Sequence, residues 1–320
     1  MSLLIVGSMA LDDLELPAGR FRNVLGGSAT HCAFAASSLT NCRIVAVVGR
    51  DFPARALARL RARGVDLAGV ARADGPTFRW SGKYLDQFRS RVTRFTRLGV
   101  FARFAPEIPA DWRTGGTVFL GNISPRLQAR VLDQIRRPRF TAIDTMNFWI
   151  ARERPALEAV VRRVDAVFVN DEELLEWTGT GNIFRGMEAL HARGPRVVVV
   201  KRGEHGAWLS DRGRLAFAPA VPVREPLDPT GAGDAFAGGF LGWVDRARRV
   251  DRATLRSALF AAAAVASFAV EGIGADALAR VTPARIAERR RVLRALTADG
   301  RDAVFRGNEA RGNLDGDDHL

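Results

Sequence analysis

Lysine is almost missing from this chain: of 320 residues only Lys83 and Lys201 are lysine, although Lys and Arg together number 48. Basic charge is carried instead by Arg scattered along the whole sequence, the mark of a genome that prefers Arg. The formal charge of +13 is therefore not gathered into the stripe that a nucleic-acid surface requires, and no nucleic-acid partner is expected. A net positive field still attracts phosphorylated small molecules. Cysteine is equally scarce. Cys32 and Cys42 fit no zinc or redox spacing, which excludes a disulfide scaffold and suits a reducing cytoplasm, with both thiols as small core residues. Long apolar runs are absent too. The longest, Ser257 to Val270, falls short of the roughly 20 residues that span a bilayer, so it reads as a core helix and no membrane partner is expected. The opening MSLLIVGSMA has no basic leader and is stopped by Asp12 and Asp13, so it reads as a first strand rather than a targeting segment. No internal repeat and no GxxxxGK[ST] occurs, which excludes the P-loop kinases.

What is present is an α/β rhythm. A chain of this length buries roughly 75% of its unfolded surface and needs no staple to fold. Leu3 to Val6 and Ile44 to Val48, then TVFLGN (117–122), FTAIDT (140–145), AVFVN (166–170) and VVVVK (197–201), read as strands buried on both faces. Helical stretches such as Phe52 to Arg63, Pro125 to Ile135 and Pro155 to Val164 separate them, which predicts a mostly parallel sheet. Parallel strands place Asn122, Asp144, Asn170 and Lys201 along one rim, where open α/β sheets bind ligands. From Thr77 to Phe104 the character changes: Phe78, Trp80, Tyr84, Val92 and Phe95 alternate with charged residues, predicting a small β-sheet. It is either a lid over a site or a surface hairpin. Ala253 to Val270 predicts an Ala-dense helix and Pro283 to Leu296 a closing one, and the tail from Asn308 is too polar to pack and is expected to be disordered.

The chain is organised around Arg224 to Phe240, REPLDPTGAGDAFAGGF. Pro226 and Pro229 interrupt regular structure, Gly231 and Gly233 let the backbone turn, and Phe236, Phe240, Leu241 and Val244 then fall on one helical face. Free N–H groups at a helix start form a site for phosphate oxygens. Asp234 places a carboxylate beside that site. It reads in two ways: as a base that takes a proton from a hydroxyl attacking a held phosphate, or as the N-cap of the helix.

DPTGAGDAFAGGF resembles the C-terminal signature of the PfkB family of ribokinase-like carbohydrate kinases, usually written DTxGAGD, with Pro229 as the one departure inside it. The resemblance implies an ATP-dependent transfer of phosphate to a hydroxyl of a sugar or nucleoside, with Asp234 as base and Gly231, Ala232 and Gly233 as anion hole. It implies a three-layer fold over residues 1–300, a central mostly parallel sheet flanked by helices. A β lid built from about 11–24 and 76–105 closes over the acceptor and can mediate dimer contacts, and 306–320 is a disordered tail.

The remaining motifs fit the same family. LGGSATHCAFAAS resembles its N-terminal GG motif, which implies that Asp12, Gly26, Gly27 and His31 line the acceptor site with Asn122. Relatives commonly carry Asn where this chain has His31, so His31 either meets the substrate or is an ordinary half-buried histidine. Asn170 and Glu173 match the NxxE motif, implying that they organise phosphate and magnesium, with Glu173 acting through water. Lys201, Gly203 and Gly206 resemble the nucleotide-side KxGxxG segment; Thr230 and Ala263 complete the nucleotide site, Ala263 standing where relatives often have Asn. Asp228 is a candidate monovalent-cation ligand, with potassium as the candidate activator. A nucleoside kinase of the same fold and a non-catalytic sugar sensor are the alternatives to a sugar kinase.

Overall fold

Along each buried strand, alternate residues serve two different helical layers. In β1 (Leu3–Val6), Leu3 and Ile5 join one core, Leu4 and Val6 the other; in β11 (Val197–Lys201), Val197 and Val199 divide from Val198 and Val200 in the same way. This is why the sequence shows unbroken apolar runs rather than an alternation. The computed structural model describes residues 2–88 and 90–298, so the tail expected from Asn308 lies outside the described residues.

The main sheet has nine strands. β11 is followed across it by β10 (Ala166–Asn170), β9 (Phe140–Asp144), β8 (Thr117–Leu120), β1, β4 (Cys42–Val48) and β5 (Val65–Arg72), all parallel. Beyond β11 lie two antiparallel strands that the sequence reading did not include, β12 (Ala207–Asp211) and β13 (Arg214–Ala218). Their connection, Arg212-Gly213, has φ of 51° and 82°, as a two-residue hairpin turn requires.

One face of the sheet is covered by α1 (Ser28–Ala36), α2 (Ala54–Ala62), α8 (Ala232–Arg246), α9 (Arg252–Ala269) and α10 (Pro283–Leu296). The other is covered by α3 (Pro125–Leu132), α4 (Asn147–Arg152), α5 (Arg154–Val161), α6 (Asp171–Thr178) and α7 (Ile183–His191). Cys32 and Cys42 are free and buried, and burial raises both thiol pKa values. They are core residues. No helix among the described residues is long and apolar enough to cross a membrane.

A separate four-stranded sheet, in the order β3 (Gly19–Gly26), β2 (Ala10–Leu16), β6 (Phe78–Leu85) and β7 (Ser90–Arg97), stands beside the strand ends. Leu14, Leu16 and Tyr84 form its own small core against Trp80 and Ile273. Chain order reverses between β1 and β8 in the large sheet, and in open α/β sheets ligands bind at the carboxyl end of such a crossover.

Candidate active site

The glycine turn feeds α8 as the sequence suggests, but Asp234 is not the cap. Gly231 holds that position with φ 75°, and the helix start has no side-chain cap. Asp234 lies in the first turn, half-buried, and no described residue donates a hydrogen bond to its carboxylate. Of the three amides expected to form the anion hole, that of Ala232 is already used, donating to the Pro229 carbonyl at 3.1 Å, while Ala235 donates to Gly231 at 2.8 Å. The N–H groups of Gly231, Gly233 and Asp234 have no partner among the described residues. Unpaired donors at a helix N-terminus favour an anion.

Two strand ends bring charges to this turn. Lys201, last in β11, donates to Asp144, last in β9, at 2.7 Å. A Cβ placed on Gly233 would lie 3.2 Å from Lys201 Nζ, so the ammonium stands directly against the helix start. Burial works to discharge Lys201, yet Asp144 and Glu173 hold its pKa above the ordinary value. Burial pushes Asp234 up to about 7, with Asp144 and Glu173 adding to the rise and Lys201 opposing it. Asp144 was placed on the rim by its strand end but given no role; the fold makes it the partner of Lys201.

Asn170 and Glu173 form a capping box at the start of α6. The Glu173 amide donates to Asn170 Oδ1 at 2.7 Å, and the Asn170 amide donates to Glu173 Oε2 at 2.8 Å. This fixes the NxxE pair by local helix chemistry. Burial raises Glu173 to about 7, Lys201 opposing and Asp144 adding. Among the described residues no group of three or more His, Cys, Asp or Glu could hold a metal ion by itself. Glu173 and Asp144 therefore fit an ion that arrives with a phosphate ligand and keeps much of its water, as magnesium does.

On the small-sheet side Asp12 is buried within β2 and pairs with Trp80 across the parallel β2–β6 pair. Burial, then Asp228 and Asp234, push its carboxyl up to about 8. Gly26 and Gly27 make room here: a Cβ on Gly26 would come 2.0 Å from Asp12 Oδ2, and one on Gly27 2.5 Å from the Ser8 carbonyl oxygen. His31 is 1% exposed, which corrects the half-buried reading. Its Nδ1 lies 3.1 Å from the Gly27 carbonyl, which can only accept, so Nδ1 carries the proton. Burial lowers the ring's pKa, leaving it neutral, and buried Nε2 has no partner. The ring packs under the glycine turn, where a Cβ on Gly231 would come 2.2 Å from it.

The other expected positions divide. Thr230 meets the Tyr84 hydroxyl at 2.9 Å. Asp228 is fully buried and accepts from the amides of Thr230 and Gly274, each at 2.8 Å. Asn122 accepts from Trp149 Nε1 at 2.9 Å. Gly203 and Gly206 bound a short 3₁₀ turn just after Lys201. Ala263 is 6% exposed inside the core, so it offers a ligand no polar contact. A recess of about 630 Å³ lies elsewhere, lined by Asn41, Arg43, Trp112 and Gly116 near the opposite strand ends.

The family described as pfkB family carbohydrate kinase matches residues 123–281. A cytidine kinase of Thermococcus kodakarensis is 31% identical over 78% of this chain and 91% of its own length. A 2-dehydro-3-deoxygluconokinase of Thermoproteus tenax is 28% identical over 74% of this chain and 79% of its own. Among solved structures, an aminoimidazole riboside kinase from Salmonella enterica, complexed with aminoimidazole riboside and an ATP analogue, superposes with a TM-score of 0.73. It has 21% identity and covers 91% of this chain and 100% of the other.

Proposed function

Because this chain belongs to the pfkB family of carbohydrate kinases and is an ATP-dependent small-molecule kinase, we propose that its acceptor is a nucleoside and that Asp234 is the base of the transfer. The observation that carries the acceptor class is the rung formed by Asp12 and Trp80. A carboxyl group that stays largely protonated to about pH 8 can donate to one of two neighbouring ribose hydroxyls and accept from the other. The indole beside it gives the base an apolar edge to pack against. The vicinal hydroxyls are then taken, and the hydroxymethyl group is the one left to reach Asp234.

In this reading the acceptor hydroxyl attacks the γ-phosphorus in line with the departing ADP oxygen, and its proton passes to Asp234. The free N–H groups of Gly231, Gly233 and Asp234 hold phosphoryl oxygens, and Lys201 adds positive charge beside Gly233. Asp144 and Glu173 orient the magnesium that ATP carries, which when bound neutralises phosphate charge. Asp228, tying the turn before α8 to Gly274 after α9, is the proposed anchor for a monovalent cation, potassium first. A homodimer through the small sheet, where Val92 is exposed, and a cytoplasmic setting complete the reading.

The test is ADP release from magnesium-ATP with cytidine, adenosine, fructose and 2-dehydro-3-deoxygluconate, with the product identified by phosphorus NMR. A signal specific to nucleosides is expected. A signal confined to fructose or the sugar acid would overturn the acceptor class while leaving the kinase intact.

A further inference from the structure

Most cations of the small sheet are paired. Glu15 alone takes Lys83 at 2.7 Å, Arg94 at 3.3 Å and Arg20 at 3.7 Å, and Arg79 lies 3.6 Å from Asp51. Arg91 makes no ion pair with any described residue, and its position differs from theirs. It stands directly opposite Tyr84 in the antiparallel β6–β7 pair, and residues so opposed project from the same face. That is the face from which Tyr84 reaches Thr230. The Arg91 guanidinium lies over the Trp80 ring, 5.2 Å from its centre, and Trp80 Nε1 donates to Thr93 at 3.3 Å. An arginine stacked on an indole keeps its charge and its donors while one face is shielded from water.

The field of this guanidinium is felt on the phosphate side of the cleft. It lowers the pKa of Tyr84 and of Glu173, in each case against a larger rise caused by burial. Asp234 is shifted by burial, Asp144, Lys201 and Glu173, without Arg91. By geometry Arg91 shares the face on which Tyr84 meets Thr230, the residue before the glycine turn where a nucleotide's terminal phosphate would lie.

We propose that Arg91 is a catalytic residue: with the small sheet closed over its substrates, its guanidinium contacts two oxygens of the phosphoryl group in transfer, opposite the free N–H groups of residues 231, 233 and 234. The inference rests on the kinase reading above. In the step, the bond from the γ-phosphorus to the bridging oxygen breaks with its electron pair remaining on ADP. The acceptor oxygen bonds to phosphorus and gives its proton to Asp234. Arg91 gains and loses no proton; its planar pair of donors follows the charge on the oxygens. Delivery from the small sheet makes transfer conditional on closure.

The test compares wild type, Arg91→Ala and Arg91→Lys in steady-state kinetics with magnesium-ATP and cytidine. A second arm, needing no acceptor, measures ADP affinity with and without aluminium fluoride, which mimics the phosphoryl group. Arg91→Ala is expected to lower kcat by roughly 10²–10³-fold, the usual cost of one transition-state donor. Both KM values should stay within about 3-fold, since a contact made only in the transition state leaves ground-state binding alone. Lys should restore little, and the affinity gained from fluoride should vanish in both variants. An unchanged kcat with an unchanged fluoride gain overturns the proposal, as does a raised cytidine KM at constant kcat, which would make Arg91 an acceptor-binding group. Wild type that fails to bind ADP at all would overturn the kinase site itself, a distinct result.

Discussion

The hydroxyls of Tyr84 and Thr230 meet at 2.9 Å, joining β6 of the small sheet to the residue before the glycine turn. The two lie 146 positions apart in the chain, and their contact links the cover of the cleft to the anion-binding helix start. In the proposed reading, a small sheet so latched acts as a lid and excludes water where hydrolysis of ATP would compete with transfer.

Tyr84→Phe tests that latch. Loss of one hydrogen bond shifts an equilibrium by about 0.5–1.5 kcal/mol, or roughly 2- to 10-fold. Acceptor-independent ATP hydrolysis should rise by that factor relative to transfer, measured as phosphate release without acceptor. An unchanged ratio would mean that the contact does not control closure.

Lys201→Met tests the charge balance around the base. With Asp234 as the proposed base and its carboxyl pushed up to about 7, kcat/KM should rise with pH through that region. Lys201 holds this pKa down against burial and two carboxylates. Removing it should move the acid limb to higher pH as well as lower the rate, because Asp234 ionises later. An acid limb that stays in place would show that another group governs it.

Asp12→Asn should stabilise the protein selectively at higher pH. The folded carboxyl titrates at about 8, far above the roughly 3.9 of an unfolded chain. A raised pKa contributes stability that is present below the unfolded value and lost as pH climbs through the folded one. Wild type and variant should therefore melt alike near pH 4, with the variant higher by roughly several degrees at pH 8, read by calorimetry without substrate. Equal melting temperatures at both pH values would contradict the buried state of Asp12 and its raised pKa.

Much of this architecture could be read from local signals. Valine runs, one of them ending at Lys201, mark strands buried on both faces, and α10 runs from Pro283 to Leu296 as its proline start suggests. The glycine turn and NxxE pair were legible because their geometry is local: positive φ at Gly231, and a capping box three residues long at Asn170 and Glu173. What escaped was set by long-range packing. Asp144 looks like any strand end until folding brings Lys201 to it from 57 residues away. His31 sits deeper than its helix implied because the turn of Gly231 closes over it. The β12–β13 hairpin did leave a trace, the Arg212-Gly213 turn between two short apolar segments. The cap reading of Asp234 could be set aside only once Gly231 was seen to hold the cap position.

The most direct measurement is phosphoryl transfer by Asp234→Asn beside wild type, using the acceptor that gives the largest ADP release from magnesium-ATP. The variant should fold and bind ATP as wild type does and lose roughly 10²–10⁴ in kcat, the span expected for a positioned base. Turnover within a few-fold of wild type would contradict the assignment of Asp234 as the base and the account built on it.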